Sequence, residues 1–204
     1  NPVADNPEAV DDSYTVDEDS TNNVLDVLAN DKDADKDWNN EGLSVKSVGS
    51  ASHGTAVLSG GAVFYTPNAD YYGSDSFTYV MEDERGATDS ATVTITVAAV
   101  NDAPTFTIGD NQTVNEDSGP HSVTDWIKAT SFGPANESGQ AVLKYIVSTT
   151  NTTLFSSGPS VSVDGTLSYT LAPDANGIAT VTVRLQDNGG TERGGQDTSA
   201  PQKY

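Results

Sequence analysis

In SATVTITVAAV, residues 90–100, the side chains of Ala91, Val93, Ile95 and Val97 alternate with those of Thr92, Thr94 and Thr96. A period of two puts one set of side chains on a dry face of a strand and the other on a wet face, where Thr is well suited. The same alternation recurs in DSFTYVM (Phe77, Tyr79, Met81), in TLSYTL (Leu167, Tyr169, Leu171) and in ATVTVRL (Ala179, Val181, Val183, Leu185). No stretch of a dozen residues shows helical periodicity. Between HGTAVLSGG and AVFYTPN, Gly60 and Gly61 supply the positive φ of a tight hairpin. Short strands separated by Gly, Pro, Asn and Asp predict an all-β chain of antiparallel sandwiches.

A repeat sets the domain count. VDEDS at 16–20 returns as VNEDS at 114–118, an offset of 98, while FTYVMED at 77–83 aligns with VTVRLQD at 181–187, an offset of 104. The second copy therefore carries 104 − 98 = 6 extra residues between those markers, which we place around SFGPANESGQ. The expected domains are 1–101 and 102–204, joined at VNDAP, where Pro104 blocks strand continuation.

Thirty Asp and Glu against nine Lys and Arg give 9 − 30 = −21. That charge argues against nucleic acid and against anionic membranes, both of which need basic patches. Cysteine is absent, so neither a disulfide nor a thiolate site can exist. No apolar run reaches the length of a membrane span, and direct membrane insertion is not expected.

The charge concentrates in NDKDADKD, residues 30–37, where Asp31, Asp33, Asp35 and Asp37 fall at alternate positions. A flexible loop offering carboxylates in this way can wrap calcium, which takes six to eight oxygen ligands. It is not an EF-hand, because counting from Asp31 the sixth residue is Lys36 and the twelfth is Gly42. Asp and Asn also favour turns without any metal, and a solvated acidic turn explains the loop equally well.

The first copy, from PEAVDDSYTVDEDS through VLANDKDAD, SVGSASHGTAVLSGG, YTPNADYYGSDSFTYVMED and ATVTITV to VNDAP, closely resembles the bacterial cadherin-like, immunoglobulin-like tandem repeats of large secreted and cell-surface proteins. The second copy is similar to a divergent member, keeping VNEDS, YTLAPDANG and the strand before QDNGG. The resemblance implies two tandem Ig-like sandwiches and calcium as the cofactor. It assigns metal-ligand roles to Glu18 and Glu116, to Asn101 and Asp102 of the linker, to Asp83 and Asp187, and to the Asp-Ala-Asp element at Asp33 and Asp35. The second copy has ATSFGPANESGQ where that element belongs. A full three-ion joint is therefore not expected there, and one ion or none is.

Catalysis has little to stand on. His53 and His121 are the only histidines, neither has an identifiable partner, and no G-x-S-x-G occurs. We expect no enzyme. DTSAPQKY stops where the closing strand of the second copy should begin, so we expect that copy to lack its last strand and to leave the Val181 to Val183 edge open to strand exchange with another chain. Two functions follow from the resemblance. One is a calcium-stiffened extracellular spacer or adhesion segment of a bacterial surface protein, with a cell-surface or matrix partner. The alternative is a carbohydrate-binding module for polysaccharide, with Tyr71, Tyr72 and Trp38 as stacking residues.

Overall fold

The computed structural model describes residues 5–34 and 42–204. Asp35, Asp37 and Trp38 lie outside the described residues. The chain divides into two compact units, Asn1–Val100 and Asn101–Tyr204.

In the first unit β1 (Asp12–Asp17), β2 (Asn23–Leu25), β3 (Ser44–Val48), β4 (Gly54–Ser59), β5 (Ala62–Pro67), β6 (Gly73–Glu82) and β7 (Thr88–Ala98) form two sheets. Their orders are β1-β7-β6-β3 and β2-β5-β4. Every pairing is antiparallel except β1 with β7, where Asp12 lies beside Val93 and Asp17 beside Ala98. The alternation read in the sequence becomes the core: Phe77, Tyr79 and Met81 of β6 and Ala91, Val93, Ile95 and Val97 of β7 are buried against Leu25, Val27, Val63 and Tyr65. Gly60 and Gly61 turn β4 into β5 with φ of +59° and +85°, values that only Gly adopts at no steric cost.

The second unit contains β8 (Thr105–Ile108), β9 (Pro120–Val123), β10 (Ile127–Ser131), β11 (Val142–Thr149), β12 (Phe155–Val161), β13 (Leu167–Leu171), β14 (Val181–Asp187) and β15 (Gln202–Lys203). They assemble as β11-β14-β15, β12-β13-β9 and the pair β10-β8. Val181, Val183 and Leu185 of β14 bury against Leu167, Tyr169, Trp126 and Phe106. Trp126 is a core residue, and its ring meets Tyr204 edge-on at 4.6 Å.

The repeat has a physical signature. Asp19 and Asp117 both take a left-handed φ, and each side chain accepts a hydrogen bond from the backbone N–H of another left-handed aspartate, Asp70 at 3.0 Å and Asp174 at 3.1 Å. The offsets 117 − 19 = 98 and 174 − 70 = 104 are those of the sequence markers. One latch between two turns is thus built twice.

One expectation is corrected. The closing segment Asp197–Tyr204, of which only Gln202 and Lys203 form a strand, lies along β14, so the β14 edge from Val181 to Asp187 is covered by the chain's own residues. Asp187 donates its N–H to the Asp197 carbonyl, and Ser199 donates to Leu185. Gln202 and Lys203 pair with Val183 and Thr182, and Tyr204 exchanges two backbone hydrogen bonds with Val181. No period of two marks DTSAPQKY because the strand is bulged at Ala200 and Pro201. Pro201 has no N–H to give, and the Ser199 hydroxyl accepts from the Leu185 N–H instead. Covered in this way, the Val181 to Val183 edge is not the open edge that strand exchange was expected to use. Among the described residues, no helix is long and apolar enough to cross a membrane.

Candidate metal centre

The predicted ligands of the first unit fall at two different places. Glu18 follows β1 and is buried, and its carboxylate accepts the Val100 N–H at 2.6 Å. Asp83 lies at the far end of β6, where its carboxylate accepts the N–H groups of Arg85 and Ala87 and closes the β6–β7 hairpin. Ten residues of β6 at ~3.3 Å each separate the two ends. Asp31 is buried and committed to the fold, accepting the Val10 N–H at 2.8 Å and the Tyr79 hydroxyl at 2.7 Å. Asp33 is buried as well. The acidic loop is thus anchored inward at its start, as neither a purely solvated turn nor an open cation loop would be.

Beside Asp31 stands Asp12, one of whose carboxylate oxygens is buried with no hydrogen-bond partner among the described residues. Burial, with the charges of Asp31, Asp26 and Asp11, pushes the Asp12 carboxyl up to about 6. Burial likewise raises Asp31, against the lowering effect of the Val10 N–H and the Tyr79 hydroxyl. An acid whose pKa is higher in the folded than in the unfolded chain binds more protons when folded, so stability falls as pH rises through the window from the ordinary carboxylate range to about 6. We expect the first unit to melt higher at pH 5 than at pH 7. Asp12→Asn should raise the pH 7 melting temperature and flatten the slope, read by calorimetry at both pH values; an unchanged slope would contradict the assignment.

In the second unit Asn101 and Asp187 come into contact, while Glu116 lies apart from them, lining a groove with Leu154 and Tyr169. The Asn101 amide donates to Asp187 at 3.3 Å and to the Gln196 carbonyl at 2.8 Å, and its oxygen accepts from the Gln140 amide at 2.6 Å. The Asp102 N–H donates to Glu137 at 2.9 Å. Asp187, which continues the inward register of Val183 and Leu185, is 1% exposed, and Glu137 is 7% exposed. One Asp187 oxygen accepts the Gly189 N–H; its other oxygen, and the amide oxygen of Gln140, are buried with no hydrogen-bond partner among the described residues. Burial raises the Asp187 carboxyl despite the Gly189 and Asn101 hydrogen bonds, and the Asp197 charge adds to that. Glu137 and Gln140 carry no signal that period or motif reading would catch, since they come from a single 3-10 turn, Ala135–Glu137, and the residues after it.

Gly133 and Gly189 hold this cluster together. A Cβ at Gly133 would run into the Glu137 carboxylate, and one at Gly189 into the Asn101 amide. The donors are carboxylates and amide oxygens, the hard set that suits calcium and magnesium rather than thiolate-seeking metals. An uncompensated, buried carboxylate oxygen is costly, and a cation there would supply what it lacks.

The other predicted residues do not assemble. Tyr71 has one ring face stacked on His53 at 4.1 Å, and its hydroxyl donates to the Ser74 carbonyl, while Tyr72 is 52% exposed. They present no paired stacking platform. His121 stacks on Tyr169 and touches the Ser118 hydroxyl, which donates to the Asn115 carbonyl.

The model of the bacterial Ig domain matches twice, at residues 4–96 and 101–198. A stretch of 71 residues is 46% identical to integrin beta-like protein A of Dictyostelium discoideum, covering 32% of this chain and 4% of that protein. Among solved structures, Drosophila N-cadherin EC1-4 aligns at a TM-score of 0.49 with 16% identity, over 98% of this chain and 48% of that one. The human desmocollin-1 ectodomain aligns at 0.38 with 12% identity, over 100% of this chain and 36% of that one. The chain thus spans less than half the length of each of these proteins. With both units matched along most of their length, it is a tandem member of the bacterial Ig domain family.

Proposed function

We propose that this chain is a non-catalytic, calcium-binding segment of a larger extracellular protein, serving as a spacer or adhesion element. The observation that carries the reading is the buried oxygen cluster of the second unit, with the Asp187 and Gln140 oxygens lacking hydrogen-bond partners among the described residues. Glu137 and Asp187, with the amide oxygens of Asn101 and Gln140, would hold the ion, which would neutralise the carboxylates and tie the start of the unit to the end of β14. A strong negative charge and a cysteine-free composition fit a chain stiffened by an extracellular divalent cation.

The test is a melt of the full chain in 2 mM calcium, in 2 mM magnesium and in excess chelator. For an extracellular-class site with Kd of ~0.1 mM, mass action gives about 2 kcal/mol, or roughly 10 °C for a domain of this size. We expect a calcium-specific rise that Glu137→Gln or Asp187→Asn removes. A rise removed instead by Asp33→Ala with Asp35→Ala would move the ion to the acidic loop, and no rise at all would overturn the reading.

A further inference from the structure

The outer face of the sheet β2-β5-β4 in the first unit carries an apolar row. Val24 lies beside Phe64, and Phe64 beside Val57, on three neighbouring strands. Val24 is 66% exposed and Val57 46% exposed, with Phe64 partly exposed between them. The second unit builds the same row, in the sheet β9-β13-β12, from Ser122, Ser168 and Ser160. The repeat offsets give the correspondence, 24 + 98 = 122 and 64 + 104 = 168, and Ser160 lies beside Ser168 as Val57 lies beside Phe64. The adjacent row on the inward face behaves differently. Leu25, Val63 and Leu58 of the first unit, and Val123, Leu167 and Val161 of the second, are apolar and pack into their cores. Core packing dictates the inward row in both units. The fold itself demands nothing apolar on the outward row, since three serines fill it in the second unit.

Charge limits what can meet this row. β2, β4 and β5 contain no Asp, Glu, Lys or Arg, in a chain that carries 9 − 30 = −21. Two copies of so acidic a chain repel each other. On this face they can approach without opposing charges and remove apolar surface from water, and a row of this kind is its own complement about a two-fold axis. A sugar ring would need an open aromatic plane with free polar groups beside it. Phe64 is only partly exposed between two valines, and the neighbouring Thr66 hydroxyl already accepts the Asn22 N–H at 2.9 Å. Three strands ~4.8 Å apart, with six residues at ~3.3 Å each, give each copy a face of roughly 300 Å², well short of the ~800 Å² per partner of a stable complex. Association through this face is therefore weak and reversible.

We propose that the outer face of β2-β5-β4 is a self-association surface, on which two copies of this chain pair through Val24, Phe64 and Val57. The contact lies in the first unit and does not depend on the proposed ion.

The experiment is sedimentation equilibrium of the full chain in excess chelator, from about 10 μM to about 1 mM, the range in which a weak complex forms. Each series is run in ~0.05 M and ~0.5 M sodium chloride, because salt screens the repulsion between copies. Methyl NMR signals of Val24 and Val57 are followed over the same concentrations. We expect the mean mass to rise toward that of a dimer, more steeply at high salt, and the two valine signals to shift with it. Replacing the row by that of the second unit, with Val24→Ser, Phe64→Ser and Val57→Ser together, should weaken the dimer about tenfold or more. Val24→Thr with Val57→Thr keeps strand-favouring residues and should weaken it in the same direction, which guards against a triple variant that fails to fold. Leu143→Ser, at an exposed apolar position of the second unit, should leave it unchanged. A chain that stays monomeric throughout would overturn the proposal, and so would a dimer that both row variants leave intact. Shifts of the valine signals on adding cellohexaose to a chain that remains monomeric would overturn it too, assigning the face to a neutral sugar. Because chelator is present throughout, failure here leaves the calcium-binding reading untouched.

Discussion

Asp75→Ala lowers the stability of the first unit by about 3 to 5 kcal/mol, the cost of stripping partners from buried polar groups around a charge. Asp75 is 6% exposed and sits on the inward face of β6, in register with Phe77 and Tyr79. Its carboxylate accepts four hydrogen bonds, from the Tyr65 hydroxyl at 2.7 Å and from the N–H groups of Ser76, Ser52 and His53 at 2.9 to 3.0 Å. Burial works against the charge, but these donors outweigh it, with Tyr65 the largest, and hold the carboxyl below its ordinary range. The Tyr65 hydroxyl is correspondingly hard to ionise, through burial and the Asp75 hydrogen bond. Alanine leaves a fully buried tyrosine hydroxyl and three backbone donors to find new acceptors. Because the folded pKa is lowered, this contribution is complete above the unfolded carboxylate pKa and disappears only as pH falls through the folded value. Urea denaturation of the full chain at pH 7, with hydrogen exchange on residues 50–77, measures it. Asp75→Asn, which keeps one acceptor oxygen, should lose about half as much. A loss under 1 kcal/mol for Asp75→Ala would show that water replaces the carboxylate at no cost.

Asp75 also shows where sequence reading succeeds and where it stops. The alternation of β6 and β7, the Gly60–Gly61 hairpin and the VDEDS repeat are local signals, and each maps onto the structure because period and turn chemistry act over a few residues. The same period carries Asp75, Asp83 and Asp187 onto inward positions beside apolar neighbours, so an aspartate in the apolar register of a strand is a legible sign of a committed carboxylate. What stays hidden depends on distant partners. Glu137 and Gln140 meet Asn101 and Asp102 across more than thirty residues of chain, and nothing in SFGPANESGQ announces that meeting. The closing strand was illegible for a different reason, since Ser199 and Pro201 replace ladder hydrogen bonds with a side-chain bond and a bulge, erasing the period.

Gly133→Ala removes the calcium response and destabilises the second unit, whereas Gly190→Ala pays only a backbone cost. Both glycines have positive φ, +131° and +86°, a region where an L side chain is strained by roughly 1 to 3 kcal/mol. The surroundings differ. Nothing lies within 4 Å of a Cβ placed at Gly190, but one placed at Gly133 meets the Glu137 carboxylate and comes within 3.1 Å of the Asp102 Cβ. Overpacking of that kind adds about 1 to 3 kcal/mol and must be relieved by moving Glu137 or Asp102. Movement of either breaks the hydrogen bond from the Asp102 N–H to Glu137 and shifts Glu137 within the proposed ion site. Gly133→Ala should therefore cost roughly 3 to 5 kcal/mol in chelator and show no calcium-dependent rise, while Gly190→Ala loses about 1 to 2 kcal/mol and keeps the rise. Melts of both variants with and without calcium separate backbone strain from site geometry. Equal losses and equal calcium shifts in the two would mean that Glu137 adjusts freely and takes no part in holding the ion.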